Sequence, residues 1–266
     1  DRLGFHAEPL AKFKEAIKKP YGMILVTGPT GSGKSTSLYA VLNALNTPMR
    51  NIMTVEDPVE YQIEGITQTQ VLSDIGLTFA NGLRSILRQS PDIILVGEIR
   101  DSETADIAVK AALTGHLVLS TLHTNSASGA CTRLVDMKVE PFLIASSVIL
   151  VTAQRLMRRI CQQCREPYAV PQSAIDQLRA SAEPMKQVKA FHGRGCKACN
   201  HTGYYGRLGT MEALWVDEDI RNLVLERRSS DEIQGAARRA GMKTLFENAL
   251  EAFKQGETTL EEVYRV

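Results

Sequence analysis

One nine-residue run, Gly28-Pro-Thr-Gly-Ser-Gly-Lys-Ser-Thr36, constrains this chain more than any other segment. It follows the apolar run Met23–Thr27 and precedes a helix-compatible stretch from Thr36 to Ala44. Gly28, Gly33, Lys34 and Ser35 fit the spacing G-x-x-x-x-G-K-[ST], in which a strand passes into a helix through a loop whose backbone N–H groups converge on an anion. Pro29, Thr30, Gly31 and Ser32 fill the loop, and Thr36 follows it. The N-terminus of the next helix adds partial positive charge. A lysine in this place reaches β- and γ-phosphates, and the adjacent serine hydroxyl ligates Mg²⁺. The run therefore predicts a nucleoside triphosphate site with Lys34 and Ser35 in those roles.

Around that site the pattern is one of alternation. From residue 22 to about 160, short apolar runs alternate with amphipathic stretches, which predicts βα units and an α/β fold with a predominantly parallel sheet. The expected strands are Met23–Thr27, Asn51–Val55, Ile66–Gln70, Ile93–Gly97 and Leu117–Thr121. Their nearly continuous Ile, Leu and Val content suits strands buried on both faces. Phe79–Arg88 and Ser102–Thr114 carry helical spacing, the second opening with a serine cap and ending at Gly115. After Thr152 the character changes. Arg155–Arg165 is basic and bears cysteines, and Tyr168–Gly195 is polar with one helical candidate around Ser173–Ala180. Gly206–Val216 reads as a strand, followed by helices near Glu218–Arg227, Asp231–Ala240, Lys243–Lys254 and Leu260–Tyr264. The expected division is 1–21 as linker, 22–160 as nucleotide-binding core, 161–205 as a tetracysteine zinc subdomain, and 206–266 as a C-terminal strand with helices.

Composition excludes several classes. A length of 266 residues with 44% hydrophobic and 23% charged side chains describes a soluble protein with ample core. A formal charge of +1 gives no overall nucleic-acid footprint, and no run of about 18 apolar residues predicts a membrane span. No Asn-Lys-x-Asp guanine motif occurs. A chain opening Asp-Arg-Leu without Met or signal peptide reads as a piece of a longer protein.

Acids, histidines and cysteines supply the chemistry. In Asp92-Ile-Ile-Leu-Val-Gly-Glu98 an apolar strand ends in a carboxylate, a Walker-B-like arrangement. Parallel sheets place ligands at the carboxyl ends of their strands, so Glu98 is expected to face the phosphate loop. Glu56, Asp57 and Glu60 cluster around the turn-forming Pro58, and one of them is a candidate to activate a water for attack on a γ-phosphate. His123 falls beyond the carboxyl end of its strand and His116 at the other end. Cys161-x-x-Cys164 and Cys196-x-x-Cys199 have the ligand count and knuckle spacing of a closed, structural Cys₄ zinc site. Arg158, Arg159, Arg165, Arg194 and Lys197 are candidates to offset its formal charge of about −2. Cys131, in a helical Ala/Leu/Val context, reads as a buried thiol.

Taken in order, residues 28–36, 56–61, 92–101 and 115–124 resemble the secretion ATPase superfamily of type II secretion and type IV pilus assembly. The resemblance covers essentially the whole chain, and the tetracysteine module is similar to that of the secretion and pilus-extension branch. It implies a RecA-like motor that uses ATP, Mg²⁺ and Zn²⁺. In it Glu60 is the general base, Glu98 the Walker B glutamate, and His116 and His123 the histidine box that senses nucleotide state. It further implies a homo-hexamer in the bacterial cytoplasm, peripheral at the inner membrane. The implied partners are a platform protein and cytoplasmic recruitment proteins, with no nucleic acid and only indirect membrane contact. In that family the arginine fingers lie upstream of the phosphate loop, where Arg2 is the sole arginine here, which implies ATP binding with poor hydrolysis by this chain alone. A nucleic-acid-translocating RecA-like ATPase and a non-catalytic, nucleotide-gated interaction module are the competing expectations.

Overall fold

The computed structural model describes residues 4–170 and 189–266. The helical candidate at 173–180 and Arg2 lie outside the described residues. Contacts divide the chain into two units, one of Ala7–Gln154 with Met211–Met242, the other of Arg155–Thr210 with Lys243–Val266 and the N-terminal stretch through His6. These bounds differ from those expected near 160 and 205. The long strands that run through residues 154 and 210 carry the chain out of the first unit and back into it, a path that local composition does not record.

In the first unit, strands β1 (Gly22–Thr27), β2 (Ile52–Glu56), β3 (Thr67–Gln70), β4 (Ile93–Val96) and β5 (Leu117–Leu122) alternate with helices. The helices are α1 (Ala7–Ala16), α2 (Lys34–Leu45), α3 (Phe79–Leu87), α4 (Ser102–Leu113), α5 (Ser128–Asp136) and α6 (Pro141–Ser147). Strand β6 (Val148–Ile160) follows, and β9 (Tyr204–Trp215) leads into α7 (Glu218–Leu225) and α8 (Ser230–Arg239). Seven strands form one sheet in the order β3-β2-β4-β5-β1-β6-β9. Pairings β2/β3, β2/β4, β4/β5, β5/β1 and β1/β6 are all parallel. Every residue of β1 and β5 is buried, which is why their sequences read as unbroken apolar runs. Thr67–Gln70 is polar because β3 is the sheet edge and half-exposed. Ile24, Val26, Leu38, Leu42, Ile52, Leu95, Leu119 and Leu150 form the core between sheet and helices. The cap of α4 is Asp101 rather than Ser102: the Asp101 carboxylate accepts from Thr104 N at 2.8 Å.

The second unit holds the later part of β6, the hairpin β7 (Arg165–Tyr168) with β8 (Ala190–Gly193), and α9 (Leu245–Lys254) and α10 (Leu260–Tyr264). Its core gathers Met157, Leu208, Ala249, Phe253, Leu260 and Val263. Glu262, 3% exposed, accepts from Arg158 N at 2.7 Å, Arg158 Nε at 2.9 Å and Arg265 Nη1 at 2.8 Å. Burial works to raise its pKa, but the donors on Arg158 and Arg265 outweigh burial and hold the carboxyl below its usual range. A depressed carboxylate contributes stability that is complete above its unfolded pKa of about 4.3 and is lost as pH falls through the folded value. Glu262→Gln is thus expected to destabilise this unit by about 2 kcal/mol at pH 7 and by much less at pH 3, read by urea unfolding. An equal effect at both pH values would count against the ionic role.

Candidate functional site

The phosphate loop leaves β1 at Thr27 and enters α2 at Lys34. Gly28 has φ 144°, and a Cβ there would lie 2.6 Å from the Gln154 carbonyl oxygen, so no side chain fits. Gly33, at φ 89°, caps α2 without a side-chain acceptor, and the first turn of α2 holds no acid. The N–H groups of that turn and the positive end of the helix dipole together favour an anion. Lys34 Nζ donates to the carbonyls of Gly28 at 2.8 Å and Pro29 at 3.0 Å, which places its charge over the loop. Ser35 and Thr36 are exposed in the first turn.

Among the described residues, three buried side-chain polar atoms lack a protein partner: Thr27 Oγ1, Ser32 Oγ and Arg165 Nε. Thr27 leads into this loop and Ser32 lies within it. Buried hydroxyls are normally paired, so unspent donors beside a Gly-rich cradle fit a phosphate-bearing ligand and its metal ion.

Two side chains that sequence reasoning missed brace the site, Gln154 at the phosphate loop and Tyr39 at the Glu60 segment. Gln154, fully buried at the end of the first unit's part of β6, donates from Nε2 to Ser32 O at 2.8 Å. Its Oε1 accepts from Ser37 Oγ of α2 at 2.9 Å. Tyr39 of α2, 2% exposed, donates to Glu56 Oε2 at 2.5 Å, and its hydroxyl accepts from Glu60 N at 3.1 Å. Burial first, and the Glu56 hydrogen bond second, raise the Tyr39 pKa, so the hydroxyl stays protonated. The only sequence signal for either was a polar atom on an otherwise apolar face.

Residues at the carboxyl ends of adjacent strands converge here. Thr27 of β1 pairs in register with Leu122 of β5, so Gly28 and His123 leave the sheet side by side. Val96 of β4 pairs with Ser120, and Gly97 N donates to Val55 O at 2.8 Å, which sets Glu98 at the same edge. The Glu98 side chain, 13% exposed, meets Arg100 at 2.6 Å and His123 Nε2 at 3.3 Å, and Arg100 also reaches Asp57 at 3.7 Å. Arg100, unassigned from the sequence, therefore knits the two acidic segments together.

The three carboxylates near Pro58 have different fates. Glu56 is buried and accepts from Tyr39, Thr54 at 2.5 Å and Gln68 at 3.2 Å, which commits it to structure. Asp57 faces Arg100. The exposed Glu60 carboxylate has no hydrogen bond or ion pair among the described residues. His116 is not brought to this end. It precedes β5, and its Nδ1 hydrogen-bonds Ala111 O at 2.9 Å, roughly 20 Å along the strand from His123.

The four cysteines gather in the second unit. Their Sγ atoms lie within 4.8 Å of one another, with Cys161–Cys196 and Cys164–Cys199 at 3.9 Å and Cys196–Cys199 at 3.8 Å. A tetrahedral zinc with Zn–S near 2.3 Å requires S···S edges of about 3.8 Å. Backbone N–H groups of Gly195, Cys196 and Gly203 aim at the sulfurs at 3.2–3.3 Å, as thiolate acceptors need. Burial opposes the Cys199 thiolate, but the donors on Cys196 and Gly203 pull its pKa down to about 6. The donor set fits zinc. The expected charge offset is only partly in place: Arg158 is held by Glu262 and Arg159 by Glu257 at 3.0 Å. Cys131 is 1% exposed, and burial pushes its thiol up to about 12.

The chain matches the Type II/IV secretion system protein family over residues 1–265. It is 52% identical, over 98% of its length, to the type IV pilus assembly ATPase PilB of Thermus thermophilus, of which it covers 29%. It is 51% identical, over its full length, to type II secretion system protein E of Dickeya dadantii, of which it covers 52%. The chain thus spans about half or less of these relatives. Among solved structures, the pilus retraction motor PilT with bound ADP matches with a TM-score of 0.72 at 29% identity, covering 99% of this chain and 65% of that one. The Legionella pneumophila ATPase DotB gives 0.68 at 26% identity, covering 99% and 66%. No helix among the described residues is long and apolar enough to cross a membrane. With a family match from end to end and a parallel sheet built around the phosphate loop, the chain belongs to the type II/IV secretion system protein family.

Proposed function

We propose that this chain is the ATP-hydrolysing motor domain of a bacterial type II secretion or type IV pilus assembly machine. The observation that carries the reading is the shared strand edge: a phosphate cradle with unspent hydroxyls beside the Glu98–His123–Arg100–Asp57 cluster. Gly28, Gly31, Gly33 and the N–H groups around Pro29, Thr30 and Ser32 would wrap the phosphates, with Lys34 exchanging its loop carbonyls for β- and γ-oxygens. Ser35 would ligate Mg²⁺, and Thr36 lies beside it. Bound Mg²⁺ would neutralise charge on the phosphates. Glu60 would take a proton from the attacking water, releasing ADP and phosphate. Glu98 would orient that water or the metal's water shell, with His123 and Arg100 fixing its carboxylate. His116 would contribute by tying the end of α4 to β5, the strand that carries His123.

Cys161, Cys164, Cys196 and Cys199 would hold one structural zinc with no open position. By analogy with its relatives the protein would work as a homo-hexamer in the cytoplasm, peripheral at the inner membrane. It would pass motion to a platform protein there and meet recruitment proteins of the same machine.

Lys34→Ala tests the reading. Two charge-assisted contacts of about 1.5–3 kcal/mol each predict at least about a 100-fold loss of Mg-ATP affinity, measured with a fluorescent ATP analogue. Turnover should vanish with it at ordinary ATP concentrations. Unchanged affinity would remove the phosphate loop from the function.

A further inference from the structure

We infer that Tyr39 is a positioning residue for hydrolysis: its hydroxyl ties the loop bearing Glu60 to the helix that begins at Lys34. The inference rests on the reading of Glu60 as the base. Tyr39 sits five residues after Lys34, about 7.5 Å further along α2, on the face turned to the end of β2. Three groups meet at its oxygen. It donates to the buried Glu56 carboxylate at 2.5 Å, accepts from Glu60 N at 3.1 Å, and lies 3.4 Å from Gln68 Nε2. Its ring packs edge-on against Tyr61, with centroids 4.6 Å apart. Both neighbours in sequence at the loop's end, Glu60 and Tyr61, are therefore held through one side chain.

The arrangement has a direction. Glu56 is the last residue of β2 and is fixed by Thr54 and Gln68, so it anchors the Tyr39 hydroxyl to the sheet. That hydroxyl has one proton, which it gives to Glu56, leaving its lone pairs to the Glu60 N–H. The Glu60 carboxylate itself stays unpaired among the described residues, so the backbone is held while the acid remains available to a substrate water. A base must sit within hydrogen-bond reach of the proton it removes, and small displacements of such a group cost rate steeply. Movement of α2 at the phosphates would reach Glu60 through the Tyr39 side chain, by its hydroxyl at the Glu60 N–H and its ring at Tyr61.

Tyr39→Phe deletes the hydroxyl and keeps the ring. The expected result is a 10- to 100-fold fall in kcat for Mg-ATP, with KM and nucleotide affinity changed less than about threefold. In a Glu60→Gln background the same substitution should change the residual single-turnover rate less than about twofold, because the group it positions is gone. An unchanged kcat, or an equal loss in both backgrounds, would overturn the inference. If Glu60→Gln itself retains full turnover, the base assignment fails, and that outcome is distinct from a silent Tyr39→Phe.

A measurement on the unmodified protein guards against a variant that fails to fold. The Glu60 amide hydrogen should exchange with solvent at least about tenfold more slowly than in the unfolded chain, in spite of its exposed side chain. Exchange at the unfolded rate would mean the Tyr39 contact is not maintained, and the inference would fall.

Discussion

Glu60→Gln is expected to lower Mg-ATP turnover by about 10²–10⁴-fold while leaving nucleotide affinity within about threefold. The substitution keeps size and hydrogen-bonding reach but removes the basic oxygen pair that accepts a proton from water. The structure offers three carboxylates near Pro58, and their surroundings differ enough to choose among them. Glu56 is 3% exposed and accepts from Tyr39, Thr54 and Gln68, so burial and three donors commit it to structure. Asp57 faces the Arg100 guanidinium at 3.7 Å, an ion pair that ties its carboxylate to the Glu98 segment. Glu60 has an exposed carboxylate on a backbone that Tyr39 holds. Affinity should survive because the phosphates are bound by the loop and Lys34, which the substitution does not touch. Parallel measurement of steady-state phosphate release and analogue binding checks both halves. Lost affinity would move Glu60 into the binding apparatus, and retained turnover would shift the base to Glu98.

Loss of the metal from the tetracysteine cluster should have the largest effect on stability. Structural zinc contributes about 10–16 kcal/mol of apparent binding energy in small zinc peptides at neutral pH, as much as or more than a domain's usual net stability of about 5–15 kcal/mol. The second unit has a modest core, and its β7–β8 hairpin runs into the cluster, with Arg194 N donating to Cys164 O at 3.0 Å. The purified protein should hold one zinc per chain by elemental analysis. Stripping it with a chelator, or Cys164→Ser, should raise amide exchange by orders of magnitude across 155–170 and 189–210. The phosphate-loop core should stay protected, because its strands pair with one another without the cluster. Cys131→Ser should leave zinc content unchanged, since that thiol is a buried side chain of α5. A protein with no zinc and no change on chelation would refute the metal.

Much of the fold was legible because parallel strands must be apolar on both faces. Met23–Thr27, Ile93–Gly97 and Leu117–Thr121 carry that mark, and each is a strand within a residue or so of its expected bounds. β6 was not legible. Its first half, Val148–Ala153, is apolar, but Gln154–Arg159 is polar and arginine-rich, so the run read as the end of a domain. The second half belongs to the second unit, and there Arg158 and Arg159 meet acids about a hundred residues away, Glu262 and Glu257. Contiguity in sequence likewise groups 206–266 together, whereas β9 carries residues 211–242 back to the first unit.

By itself the sequence determined what is local: the cradle at 28–36, whose glycines and lysine act through spacing, the two C-x-x-C knuckles, and the apolar strands. Tertiary structure alone decided which acid is committed and which is available, that Gln154 and Tyr39 brace the loop and the Glu60 segment, and that His123 stands beside Gly28 while His116 does not. The physical reason is range. Backbone conformation and strand burial are set by neighbours a few residues apart, whereas the hydrogen-bond partners of a buried side chain are chosen by sheet order and register. Those join residues 17 or 117 positions apart with no trace in local composition.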